Sequence, residues 1–475
     1  MKSIKYLAMS FVLAGFSTTA MAQDGTKADV AAVKEIIKSN PADIDKQLKA
    51  YLSKNKKNAE NLVDFGRAFY EVKDYDHAAS MASMALSAKK NAFGPAYLLL
   101  GDIAAMKDDP GVAAQNYEQA ILFNKEDPEP YRRYASVYRV VDPVGAVNKL
   151  EELRVVRPDF PVDALIGHIN YLSKRYPEAI DAFDKVPAAQ MQKMDIIEYG
   201  FSAWVSQKYD KGVKMLKQGL QNDPKNGSLN RLALYCYTEN GQFAEALERA
   251  EVMFNQIDKD SVKLNYRDYV YYGNALNGAK QHQEAIDIYK KALDQEFDSQ
   301  DKRAGVIKQL ADAYKGVNDY ENALKYYDEY LAAVSAPTLN DFADLGRLYV
   351  QYASKLEGDA KTENLKKAEK IYADLAEKNP DALEYSLFWR GRVGTMLDPD
   401  ASQGIAQPFY EQLWDIIVAK AEQDKSDVAR MKEAGNFLMV YYLKIKDDVE
   451  KSKVFAGKII EIDPTNETAA QIVAI

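Results

Sequence analysis

Across 475 residues there is a single cysteine, Cys236. No intramolecular disulfide can form, and a lone thiol inside LALYCYTEN reads as a buried side chain, not a reactive one. Histidine is almost as scarce: His77, His168 and His282 lie far apart in the chain. No two of them stand at metal-ligand spacing, and H-E-x-x-H is absent. G-x-S-x-G, the P-loop and G-x-G-x-x-G in a strand-turn-helix setting are missing too. DPDASQG from Asp398 fails as a calcium loop, because the glycine and glutamate needed at its sixth and twelfth places are Gln403 and Phe409. It reads as a turn between helices. These absences predict a protein with no catalytic residues, metal or cofactor of its own.

A basic run is also lacking. Sixty-two lysines and arginines against 71 carboxylates leave a net charge of −9, which speaks against a nucleic-acid partner. No segment is apolar enough to span a bilayer, which takes about 20 residues. The short apolar run Tyr6–Phe16 follows Lys2 and Lys5 and leads to Ala20-Met21-Ala22. A basic start, an apolar centre and an A-x-A ending make residues 1–22 a signal peptide, with cleavage expected between Ala22 and Gln23. The LAG at Leu13 is followed by Phe16 where a lipoprotein would need cysteine, so no lipid anchor is expected. The expectation is an exported, soluble, periplasmic protein.

What the chain has in quantity is tyrosine, 32 residues, and one recurring phrase. NDYENAL from Asn318 returns as KDYDHAA from Lys73, KRYPEAI from Lys174, QKYDKGV from Gln207, GQFAEAL from Gly241, KQHQEAI from Lys280 and KDDVEKS from Lys446. Its small residue falls at Ala78, Ala113, Ala146, Ala179, Gly212 and Ala246, then at Ala285, Ala323, Ala368, Ala406 and Ser452. The first five steps are 35, 33, 33, 33 and 34 residues. A second small or apolar residue precedes it by about a dozen positions, as at Gly66, Gly101, Ala135, Gly167, Gly200, Leu234, Gly273 and Ala311. Apolar residues at i, i+3, i+4 and i+7 make each unit a pair of amphipathic helices, with the small residues where the two cross. Proline near repeat ends, at Pro128, Pro158, Pro224, Pro380 and Pro464, is expected to stop the second helix. One such hairpin cannot cover its apolar face, whereas a stack of them can.

A period near 34 with this placement of small, aromatic and proline residues resembles the tetratricopeptide repeat (TPR) family over roughly residues 59–466. The resemblance implies an all-α, right-handed superhelical solenoid of about eleven hairpins. An N-terminal helical segment or cap would occupy 23–57, regular units 58–254, and longer irregular units with a C-terminal cap 255–475. NQIDKDSVKLNY, SKLEGDAKTEN and LDPDASQGIAQ are the lengthened stretches.

The resemblance further implies that first helices line a concave groove that takes an extended peptide or a partner's helix. Its groove positions fall on Val63, Arg67 and Tyr70; on Leu98 and Asp102; and later on Lys308, Asp312, Arg347, Phe388 and Arg392. The preferred site is the middle of the array: Arg132, Arg133, His168, Tyr171, Phe201, Trp204, Arg231, Tyr235, Tyr271 and Asn274. Arginine and aromatic residues dominate interfaces most often. No unit carries the Lys-Asn pair of the family's two-carboxylate clamp, since Lys308 has Asp312 and Asn274 follows Val270. The functional expectation is a scaffold binding other proteins or extended peptides that are components of the cell envelope. The rival is an accessory protein that binds a small ligand or glycan. Ile472, Val473 and Ile475 leave an apolar C-terminal end open to self-association.

Overall fold

The computed structural model describes residues 24–257 and 262–475, and no strand occurs among the described residues. The chain packs as two units, residues 24–240 with 255–257, and residues 241–254 with 262–475. The segment expected to be a signal peptide, with its expected cleavage site between Ala22 and Gln23, lies outside the described residues.

In the first unit α1 (Asp24–Ser39) and α2 (Ile44–Asn55) come before five consecutive pairs. These are α3 (Ala59–Glu71) with α4 (Tyr75–Ala88), α5 (Gly94–Met106) with α6 (Pro110–Phe123), and α7 (Pro128–Tyr138) with α8 (Pro143–Val156). Then come α9 (Val162–Leu172) with α10 (Tyr176–Phe183) and α11 (Lys193–Val205) with α12 (Tyr209–Asn222), before α13 (Gly227–Glu239). The second unit opens on α14 (Phe243–Glu251), which runs into a π-helical turn, Val252–Gln256. Its pairs are α15 (Tyr266–Gly278) with α16 (His282–Leu293), α17 (Gln300–Gly316) with α18 (Tyr320–Ala333), and α19 (Leu339–Ala353) with α20 (Gly358–Lys378). They continue as α21 (Leu383–Leu397) with α22 (Gln407–Val418) and α23 (Lys425–Lys444) with α24 (Val449–Ile462), before the short α25 (Glu467–Val473). Within each unit a second helix packs on the next first helix, and neighbouring first helices such as α3 and α5 or α9 and α11 also touch.

The repeated phrase begins at the turn that makes each hairpin. Lys73, Asp108, Lys174, Gln207, Lys280 and Asn318 all sit at φ between 57° and 64°, in the left-handed region. The residue after each returns its N–H to a carbonyl five positions back. Examples are Asp74 to Phe69 (2.9 Å), Arg175 to Asn170 (2.9 Å) and Asp319 to Tyr314 (3.0 Å). This six-to-one bond closes the first helix and leaves three residues for the reversal, which sets the two helices antiparallel. Asp74, Asp109, Asp319 and Asp448 then cap the second helix by accepting an N–H from its first turn.

The crossing has a more specific geometry than small-on-small contact. The small residues of the second helices are fully buried, Ala113, Ala179, Ala285 and Ala368 among them. The first-helix glycine makes room for a large side chain one helical turn further along the second helix. Gly101 faces the Tyr117 ring, Gly273 faces Tyr289 and Gly391 faces Tyr410; a methyl group on Gly167 would stand 2.6 Å from Phe183. Gly212 is glycine because a Cβ there would lie 2.9 Å from the sulfur of Cys236.

Proline behaves as expected with one exception. Pro158, Pro224 and Pro464 follow the ends of α8, α12 and α24, and Pro380 opens a 3-10 turn after α20. Pro128 instead stands at the first position of α7, with Asp127 as its cap. The first N–H of a helix has no partner within it, so proline costs nothing there. The lengthened stretch at Asp398 is an inter-helix loop wound around one buried carboxylate. Asp398 accepts backbone N–H bonds from Gln403 (3.0 Å) and Gly404 (2.8 Å).

Candidate functional site

The ten residues singled out in the sequence lie on the first helices α7, α9, α11, α13 and α15, the last in the second unit. On α7, Arg132 and Arg133 share Glu129, at 2.9 and 2.8 Å. Arg133 also reaches back to α5 and pairs with Asp102, a carboxylate only 5% exposed. Tyr117 donates to the same carboxylate at 3.0 Å. Burial pushes the Asp102 carboxyl above the usual carboxylate range despite Arg133 and Arg67. Arg133 therefore joins two repeats from within.

On α9, His168 is engaged in the same way. Its Nδ1 lies 2.8 Å from Glu198 on α11, a carboxylate buried to 4%. Beside this pair the rings form a continuous edge-to-face series. Tyr171 meets Phe201 at 5.7 Å and 86°, Tyr176 meets Phe201 at 5.6 Å, and Phe201 meets Trp204 at 5.7 Å. Trp204 lies on Tyr235 of α13 at 5.4 Å. Tyr235 is buried and forms the floor, while Tyr171, Tyr176, Phe201, Trp204 and Arg231 are half-buried. Tyr176 was not singled out in the sequence; it belongs to α10 but leans into the series.

In the second unit Tyr271 is half-buried on α15. Asn274, beside Gly273, accepts a hydrogen bond from Tyr289 at 2.8 Å and so serves the hairpin crossing. Further along, Lys308 pairs with buried Asp341 at 2.6 Å, Arg347 with Asp344 and with the Tyr385 hydroxyl at 2.6 Å, and Arg392 with Glu433 at 2.6 Å. Arg392 also lies over Phe388, 4.3 Å from the ring centre, and Arg390 over Phe409 at 4.2 Å. Lys308, Arg347, Phe388 and Arg392 are among the groove positions expected from the sequence; Arg390 and Phe409 are not. The run FWRGR from Phe388 was the available signal.

The three histidines have ordinary partners. His77 lies 2.7 Å from Asp74, His168 is held by Glu198, and His282 lies 2.6 Å from Asn277. Cys236 is fully buried, and burial pushes its thiol up to about 12. No group of three or more His, Cys, Asp or Glu residues able to hold a metal occurs among the described residues. No described helix is long and apolar enough to cross a membrane.

No protein-family model matches the chain. Among solved structures it is similar to the C-terminal part of a TPR repeat-containing protein from Cytophaga hutchinsonii. Identity is 21%, covering 58% of this chain and 98% of that one, with a TM-score of 0.48. A tetratricopeptide repeat protein from Parabacteroides merdae is 18% identical over 53% of this chain and 97% of its own, with a TM-score of 0.35. YrrB, described as a TPR protein with an unusual peptide-binding site, is 16% identical over 38% and 95%, with a TM-score of 0.30. In both units the packing repeats a turn closed by a six-to-one bond and a glycine set against a ring. The described chain is an all-helical array of tetratricopeptide-like hairpins.

Proposed function

We propose that this protein is a non-catalytic scaffold of the periplasm whose first unit holds an extended polypeptide of a partner protein on its first-helix face. The carrying observation is the ring series Tyr171, Tyr176, Phe201 and Trp204, half-buried and held edge to face on rigid helices. Rigid aromatic groups offer large contact area with little side-chain entropy to lose, which is what interface anchors require. Helices that are already packed hold such anchors in place before a ligand arrives. Export to the periplasm rests on the signal-like residues 1–22, and a mature chain beginning at Gln23 in intact-mass analysis is the expected result.

Crosslinked pull-down from the periplasmic fraction tests the binding reading. Phe201→Ala combined with Trp204→Ala should lose the partners while keeping its helical circular dichroism. Full retention of partners by the folded double variant removes this face as the site. One observation favours a second reading, a small-ligand accessory protein. In the second unit Asp312, Lys315, Asp344, Arg347 and Gln351 line a cleft between α17 and α19, over Tyr327. Its mixed charges suit a zwitterion, and native mass spectrometry of protein purified from its host would reveal such a passenger.

A further inference from the structure

The attachment of α2 to the rest of the first unit is thin. Its buried residues are Leu48 and Asn55, and Asp43 ahead of it makes no side-chain cap bond. Polar ties hold its two ends. At the far end the Asn55 amide donates to Asp29 of α1 at 3.0 Å, and its oxygen accepts from Asn61 of α3 at 2.7 Å. At the near end Asp45, in the first turn of α2, lies 3.3 Å from Nε2 of His77 on α4.

His77 is held in place for this contact. Its Nδ1 lies 2.7 Å from one oxygen of Asp74, whose other oxygen caps α4 by accepting the His77 N–H at 3.2 Å. Its ring stacks on Phe69 of α3 at 4.9 Å and 17°. Both ring nitrogens therefore face carboxylates. A neutral imidazole has one N–H and can serve only one of them, leaving a lone pair against the other; an imidazolium donates to both. Other charges nearby are turned elsewhere. Asp76 on α4 pairs with Lys107 at 3.1 Å, and Glu71 on α3 lies 3.9 Å from Lys34 of α1. Lys73 of the turn and Lys46 and Lys49 of α2 are exposed. Partial burial pulls the His77 imidazole down, but the bonds to Asp74 and Asp45 outweigh it and hold the group above its usual value.

We propose that His77 is a proton-operated clasp: the imidazolium ties the start of α2 to the first hairpin, and the neutral ring releases it. A group whose pKa is raised on folding adds stability that is fully present below its unfolded value, about 6.5 for histidine, and is lost as pH rises through the folded value. The start of α2 is thus seated firmly in mildly acid solution and loosened above neutrality. Asp45 stands at a helix N-terminus, where its negative charge is favoured in either state, so the histidine is the group that switches. Release uncovers Ile44 and Leu48, which pack on the apolar core of α3 and α4. The Asn55 tie carries no titrating histidine, so α2 pivots at its far end and does not detach.

Two measurements on the full mature chain test this. With only three histidines, ring-proton NMR resolves each titration, and His77→Gln assigns the one that matters. The His77 midpoint should lie above 6.5 and should fall in Asp45→Asn, which keeps the Asp74 cap intact. Hydrogen exchange of the first turns of α2, corrected for the intrinsic rate at each pH, should lose protection by about two- to fivefold as pH rises through that midpoint, the size expected of an exposed ion pair. The last turn of α2, beside Asn55, should change less. His77→Gln and Asp45→Asn should each flatten the response while keeping native helical circular dichroism. A His77 midpoint at or below 6.5, protection of α2 that ignores pH in the native chain, or the same pH response in both variants overturns the clasp.

Discussion

Gly101 and Tyr117 show how much one atom decides here. The ring of Tyr117 lies where a Cβ on Gly101 would be, and its hydroxyl is tied to Asp102. Gly101→Ala must displace a fully buried ring and break that bond, at a cost of about 1–3 kcal/mol. Thermal unfolding should show a clear drop in midpoint, whereas Gly305→Ala, on α17 with open space around it, should show none or a gain. Asp341 makes a second residue-scale case. Burial alone would raise its carboxyl, but Lys308 at 2.6 Å, the Thr338 N–H and hydroxyl, and Tyr330 outweigh it and hold the group down to about 2. A depressed carboxylate stabilises the fold above its unfolded value near 4, and that contribution is lost as pH falls toward 2. Asp341→Asn should therefore be less stable than the native chain at pH 7, on the order of 2 kcal/mol by the same linkage. The gap should close between pH 4 and pH 2 in urea titrations.

Among the elements, the hairpin turns are uneven in quality. Asp74, Asp109, Asp319 and Asp448 cap their second helices, but Lys208 before α12, Gln242 before α14 and Gln281 before α16 make no such side-chain bond. Gln281→Asp should supply the missing acceptor and stabilise by about 1 kcal/mol, read as a higher denaturation midpoint. The longer units of the second half solve the same problem at their first helices. Asn265, Thr338 and Asp424 each form a capping box with an aspartate three residues on, Asp268, Asp341 and Asp427. Irregular length there is matched by stronger helix starts.

For the whole molecule, stability in a repeat array is a sum of local hairpin and neighbour terms, so a perturbation is felt first where it is made. The three tryptophans divide usefully between the units, Trp204 in the first and Trp389 and Trp414 in the second. With Trp389 and Trp414 changed to Phe, fluorescence reports the first unit alone, and with Trp204→Phe it reports the second. Gly101→Ala should move the first midpoint by more than the second. Equal shifts of both would mean that the chain unfolds as one cooperative block.

The hairpins were legible in the letters because each must solve one steric problem, and the same solution recurs from hairpin to hairpin, near every thirty-fourth residue in the first half of the chain. Ala78, Ala113 and Ala179 could be read as crossing points without any coordinates. The commitments of polar side chains were not legible. Arg133 belongs to Asp102 and His168 to Glu198, 31 and 30 positions apart, and Lys308 to Asp341, 33 apart. Each pair joins neighbouring first helices, so opposite charges about one repeat apart were the signal available. Periodicity along the chain is local and survives in sequence; which guanidinium reaches a buried acid on the neighbouring helix, as Arg133 does, and which pairs only on its own helix, as Arg132 does with Glu129, depends on how adjacent helices pack and is decided only in three dimensions.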